Sequence, residues 1–138
     1  MARDNTVTIE GNLTRDPELT FSAKGNAIMR TGLAWNQSSP DGQGGWNETA
    51  HFFDVTVFGD AAEHASTSLS KGMRVLVYGR LDYSTWSAED GSPRSKVAIV
   101  AESVAPSLKW ATAEVSKVAK TTAGSTMVND VSDDDDVF

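Results

Sequence analysis

Cysteine is absent from all 138 residues, which removes disulfides, thiolate metal sites and thiol nucleophiles from consideration. Histidine is scarce: only His51 and His64 occur, and neither stands in a nucleophile elbow, a phosphate loop or a metal-spaced cluster. The aspartate run near the C-terminus lacks the rigid cage that a catalytic cation needs, so the chain is expected to be no enzyme and to take no cofactor or metal. Long apolar runs are missing as well. Nothing approaches the ~20 residues needed to cross a bilayer. The opening MARDNTVTIEG is polar and unlike a signal peptide, so a cytoplasmic protein without membrane contact is expected.

Positive charge is in short supply: 12 Lys and Arg face 19 Asp and Glu, for a net charge of −7. The imbalance is uneven. Residues 1–110 hold ten basic and thirteen acidic side chains, whereas residues 111–138 hold two and six. Taken alone, this acidity argues against binding nucleic acid by bulk electrostatics. The apolar fraction, 39%, fits one compact core carrying a polar extension.

Strand periodicity dominates the first two-thirds of the chain. In NTVTIEGNLT, Val7, Ile9, Gly11 and Leu13 alternate with Thr8, Glu10 and Asn12, which reads as a strand with one wet face. RDPE follows as a turn, and a second strand covers residues 26–36. The Gly-, Pro- and Ser-rich segment 37–49 reads as a long hairpin loop. A third strand, HFFDVTVFG, spans 51–59. Residues 60–72 form a short, Ser-rich helix, with Asp60 and Glu63 as a capping box and Ala61, Ala65 and Leu69 on one face. MRVLVYGRLDYSTW and RSKVAIVAESV supply two more strands, and SLKWATA one possible short extended piece.

Five strands with one short helix between the third and fourth predict an all-β, five-stranded Greek-key barrel, the OB-fold. A plain antiparallel sandwich is the alternative that the pattern leaves open. From residue 113 no sustained apolar period remains, and disorder is expected. The expected division is a domain over 1–112, a flexible linker over 113–129 and an acidic tip over 130–138.

Aromatic residues fall on the face that should be wet. Alternation puts Phe53, Val55 and Val57 on the core side, leaving Phe52, Asp54, Thr56 and Phe58 outside. In the next strand Met73, Val75, Val77 and Leu81 make the core set, and Arg74, Leu76, Tyr78, Arg80 and Trp86 the other. Flat rings interleaved with cations suit single-stranded nucleic acid, because bases stack on aromatics while Arg and Lys meet phosphates. That mode needs no strongly basic protein. Phe52, Phe58 and Trp86 are the stacking candidates. Trp35 joins them as a fourth, with a core position as its alternative. Arg74, Arg80, Arg94 and Lys96 are the phosphate candidates. Coverage of the aromatics by a loop or a second subunit is the competing structural reading.

Together NTVTIEGNLTRDPEL, HFFDVTVFG, LSKGMRVLVYGRL and DDDDVF resemble the bacterial and phage single-stranded DNA-binding proteins, and PSLKWATA looks like their actinobacterial branch. The resemblance implies an OB-fold homotetramer that wraps single-stranded DNA and places the stacking positions on Phe52, Phe58 and Trp86. A further tryptophan-bearing position of the family aligns with Ser38 and Ser39, where this chain has no aromatic. The family's basic run before the last stacking residue is replaced by DYST, with Asp82 where a cation is usual, which implies weakened phosphate contact. The resemblance also gives the tail a role. Asp133, Asp134, Asp135, Asp136, Val137 and Phe138 correspond to an acidic peptide that docks on replication and repair proteins. The aromatic enters an apolar pocket and the carboxylates meet Lys or Arg around it. Two rival functions stay open: an acidic protein-binding module, and a cold-shock-like RNA binder.

Overall fold

The computed structural model describes residues 4–119; the acidic tip at 130–138 lies outside them. Six strands and one helix follow in the order β1 (Val7–Leu13), β2 (Glu18–Phe21), β3 (Ala27–Pro40), β4 (Trp46–Phe58), α1 (Asp60–Ser68), β5 (Arg74–Ser87) and β6 (Pro93–Pro106). The sheet order is β1-β5-β6-β4-β3-β2, and an additional β1–β3 pairing closes five of these strands into a barrel. That seam consists of Asn12 opposite Ala34 and Leu13 opposite Leu33. Closure excludes the open sandwich. The helix stands between the third and fourth barrel strands, as the sequence pattern requires.

Glycine makes the closure possible. A side chain on Gly11 would run into the backbone carbonyl of Ala34 across the seam, and one on Gly79 would strike the backbone at Val100 and Ala101. Gly79 stands where the β5–β6 register shifts, Tyr78 facing Ser103 and Gly79 facing Ala101. Absent side chains there let the strands approach closely and bend the sheet into a tube.

The core is the inward parity of each barrel strand. Leu13, Met29, Leu33, Val55, Val57, Val75, Val77 and Ile99 are buried, and α1 seals one end with Ala62, Ala65 and Leu69. The single buried polar side chain among the described residues, Thr31, donates its hydroxyl to the carbonyl of Arg15 at 2.8 Å. That bond pins the turn between β1 and β2 to the barrel wall.

Four details depart from the sequence pattern. First, β2 is an extra strand, paired to β3 from Glu18 opposite Arg30 to Phe21 opposite Ala27. It is an edge of four residues in which only Leu19 is half-buried, too short to show alternation. Second, the expected loop 37–49 is mostly ladder. Antiparallel pairing of β3 with β4 continues to Pro40 opposite Trp46, leaving a turn held by Asp41, whose carboxylate accepts from the amides of Gln43 and Gly45. Third, α1 is capped by Gly59 without a side-chain hydrogen bond, so Asp60 and Glu63 form no capping box. They are first-turn acids facing the positive helix end, and the buried face carries Ala62 rather than Ala61. Fourth, Leu81 is 40% exposed, because the β1 ladder on that side of β5 ends with Val7 opposite Gly79, and residues 80–87 are all exposed. Past Pro106 the segment 107–119 contains no further strand or helix.

Candidate nucleic-acid interface

The outer face of the sheet is best followed across its ladders. One row runs Arg30, Thr56, Val100, Arg80 across β3, β4, β6 and β5; the next runs Gly32, Asp54, Ala98, Asp82. Beyond that row the described β4–β6 pairing stops, and two hairpins project from the barrel. The β3–β4 arm carries Phe52 opposite Ala34 on the same outer parity, and Phe58 opposite Ile28 at its barrel end. The β5–β6 arm carries Ser84 opposite Lys96 and Trp86 opposite Arg94.

Phe52, Phe58 and Trp86 are exposed by 69%, 52% and 50%, so no described part of this chain covers them. They share one outward parity, with Arg30, Arg80, Arg94 and Lys96 among them. Flat apolar rings spaced by cations on an open sheet can accept bases face to face and phosphates between.

Two of the named residues are placed elsewhere. Trp35 lies on the inward parity of Met29, Thr31 and Leu33, at the barrel mouth. Its ring stacks on His51 at 5.3 Å, and His51 Nε2 is 2.9 Å from Gln37 Oε1. Arg74 stands at the barrel end of β5, far along the strand from Trp86. Its Nε donates to Glu10 at 2.8 Å, Nη1 donates to Asn12 at 3.1 Å, and its guanidinium lies 4.9 Å from the Trp110 ring centre. Ser107 also donates to Glu10, at 2.7 Å. That hydroxyl, with the Arg74 bond next, holds the Glu10 carboxyl below its ordinary range. The cluster ties the segment after β6 back to β1 and takes Arg74 out of the set of free cations.

Lys96 is engaged as well, in an ion pair with Asp54 on the outer face. Arg15 approaches the other Asp54 oxygen, Nη2 to Oδ1, at 3.8 Å. Neither Arg15 nor Lys96 stood out in the sequence as a partner of Asp54, because the three lie on separate elements. The loose signal was an acid flanked by two outward phenylalanines. Arg80 and Arg94 enter no ion pair among the described residues. At the tip of the β5–β6 arm the Ser92 hydroxyl and amide both donate to Asp90 and lower its pKa. The amides of Gln43 and Gly45 do the same for Asp41 at the other tip.

A closed five-stranded barrel with its one helix between the third and fourth barrel strands is an OB-fold. The chain belongs, within that class, to the single-strand binding protein family, whose profile matches residues 4–107. It is 38% identical over 122 residues to the single-stranded DNA-binding protein of Mycobacterium leprae, covering 87% of this chain and 73% of that one. The protein of the same name from Bifidobacterium longum is 38% identical over 125 residues, covering 85% and 55%. Among solved structures, a deletion mutant of the single-stranded DNA binding protein from Thermus aquaticus superposes with a TM-score of 0.65 at 30% identity. That match covers 77% of this chain and 51% of the other, so the chain spans about half of its length. Membership in a family of binding proteins agrees with the reading of the chain as a non-enzyme. No helix among the described residues is long and apolar enough to cross a membrane.

Proposed function

We propose that this protein binds single-stranded DNA with little regard to sequence, over the outer face of β4, β6 and β5. The observation that carries the proposal is the exposure of Phe52, Phe58 and Trp86 on one parity, with Arg80 and Arg94 free among the described residues. Stacking on π-faces is sequence-tolerant because every base has one, and contributes about 1–3 kcal/mol per base. Trp35 joins the surface only if a strand continues into the barrel mouth. Four copies wrapping one strand is the assembly that the family resemblance supports. The roles that follow are to hold unwound DNA against reannealing and nucleases during replication, recombination and repair, in the bacterial or phage-infected cytoplasm. Residues 1–112 would act as the binding domain and 113–129 as a linker. Asp133 to Asp136, Val137 and Phe138 would recruit partner proteins.

Titration of intrinsic tryptophan fluorescence with oligo(dT), duplex DNA and oligo(U) at moderate salt tests this. Deep quenching by oligo(dT), little response to duplex, and a midpoint that weakens with salt are expected. Absence of any response to oligo(dT) would turn the aromatic face into a protein interface and the molecule into an acidic adaptor. Equal response to oligo(U) would make it an RNA binder.

A further inference from the structure

The groove between the two arms is floored by an acid. Asp54 stands on the outer parity of β4 two residues from Phe52 and four from Phe58, in the row it shares with Ala98 and Asp82. On a surface meant for phosphates this is the wrong sign of charge, and the residue is not idle. It holds Lys96 through Oδ2 and faces Arg15 through Oδ1. Arg15 is aimed there by two further features. The buried Thr31 hydroxyl fixes the Arg15 carbonyl at 2.8 Å. Gly32, next to Asp54 across the ladder, leaves open the space that the Arg15 guanidinium crosses; a Cβ on Gly32 would stand 2.7 Å from Nη1.

Resting on the single-stranded DNA reading above, we infer that Asp54 is an internal stand-in for a phosphate. It occupies Lys96 and Arg15 in the free protein and yields them to the backbone of a bound strand. The exposures fit such an exchange: the side chains of Lys96, Arg15 and Asp54 are 53%, 52% and 40% exposed, open enough for a phosphate to reach the cations. Asp82, across the β6 backbone from Asp54, enters no ion pair among the described residues. It contributes repulsion without holding a cation. Each contact with a phosphate is thereby bought from Asp54, and the carboxylate lowers the affinity of the face.

A double-mutant cycle with labelled oligo(dT) over a range of salt tests the exchange. Asp54→Asn tightens binding while the log K against log salt slope changes by less than about 0.7, the step for one phosphate, because Lys96 and Arg15 meet the strand in both proteins. Lys96→Ala then weakens binding by at least threefold more in the Asp54→Asn background than in the wild-type protein, since breaking the pair no longer offsets the lost contact. Asp82→Asn removes the same charge and is the control, with no such coupling to Lys96. Equal costs of Lys96→Ala in both backgrounds would show that the pair persists in the complex and overturn the inference. So would a slope steeper by about 0.7 or more in Asp54→Asn, which would mean that the cations meet phosphate only once the carboxylate is gone. A reading that needs no variant is side-chain NMR of the wild-type protein. Oligo(dT) should move the Lys96 ammonium and Asp54 carboxylate signals together, and a stationary Asp54 counts against exchange. Failure of the wild-type protein to bind oligo(dT) at all appears before any variant is made and sinks the function itself.

Discussion

Phe52 and Phe53 are neighbours in β4 and point to opposite sides of the sheet, so truncating each one to alanine separates binding from folding. Phe52 is 69% exposed on the outer face. Phe52→Ala should therefore leave stability within about 1 kcal/mol of wild type, the span of strand propensities. If its ring carries a base, the loss is about 1–3 kcal/mol of binding, or roughly five- to 150-fold in Kd. Phe53 is half-buried and packs against the core. A fully buried Phe costs about 3–5 kcal/mol when cut to Ala, so a half-buried one costs about 2 kcal/mol of folding free energy. Its ring is turned from the outer face, and oligo(dT) affinity should stay within twofold under conditions where the variant is folded. Urea denaturation and fluorescence anisotropy with labelled oligo(dT) read the two quantities on the same samples. The reasoning fails if Phe52→Ala binds as wild type does, or if it loses as much stability as Phe53→Ala.

Gly11→Ala places a methyl against the Ala34 carbonyl at the barrel seam. Backbone cannot move aside as a side chain would, so a loss near the upper end of overpacking costs, about 3 kcal/mol, is expected in urea denaturation; a change below about 0.5 kcal/mol would mean the seam is slack. Acid should loosen the cluster around Glu10. Its carboxyl titrates below the ordinary range because the Ser107 hydroxyl and then Arg74 bond to it. The stabilisation is thus complete above the unfolded pKa of about 4.3 and lost as pH falls through the lower folded value. Trp110, stacked under Arg74, should report this as a fluorescence change below about pH 4 that Glu10→Gln abolishes; persistence of the step in that variant would assign it to other carboxylates.

Much of the barrel was legible because strands with one wet face announce themselves by alternation. Val55 and Val57, then Val75 and Val77, marked the inside, and Phe52, Phe58 and Trp86 the outside. Alternation lost its meaning where the chain leaves the core. From Gln37 to Pro40 and from Trp46 to Ala50 both faces are solvated, so polar residues fill both parities and a ladder resembles a loop. The edge strand β2 was hidden for the related reason that one half-buried Leu19 makes no period. Ion pairs were the least legible. Glu10 with Arg74 and Asp54 with Lys96 join residues distant in sequence, and only the strand order brings them together. Arg74 and Lys96 looked like equivalent free cations in the sequence, yet one is tied to β1 and the other lies over Asp54.

The parallel ladder between β4 and β6 has only four rungs, Asp54 to Val57 against Ala98 to Ala101. Mechanically the molecule is a pair of tongs, two antiparallel arms joined directly at one short rivet and, around the other side of the barrel, through β1. Past the rivet each arm is stiff along its own hairpin, yet it shares no described strand pairing with the other. Across the gap between them no described strand pairing resists opening or closing. A polynucleotide lying across both arms would act as the missing cross-brace, trading its own slackness for theirs. Compliance located between the aromatic rings, rather than within them, would let one surface follow strands of any base order.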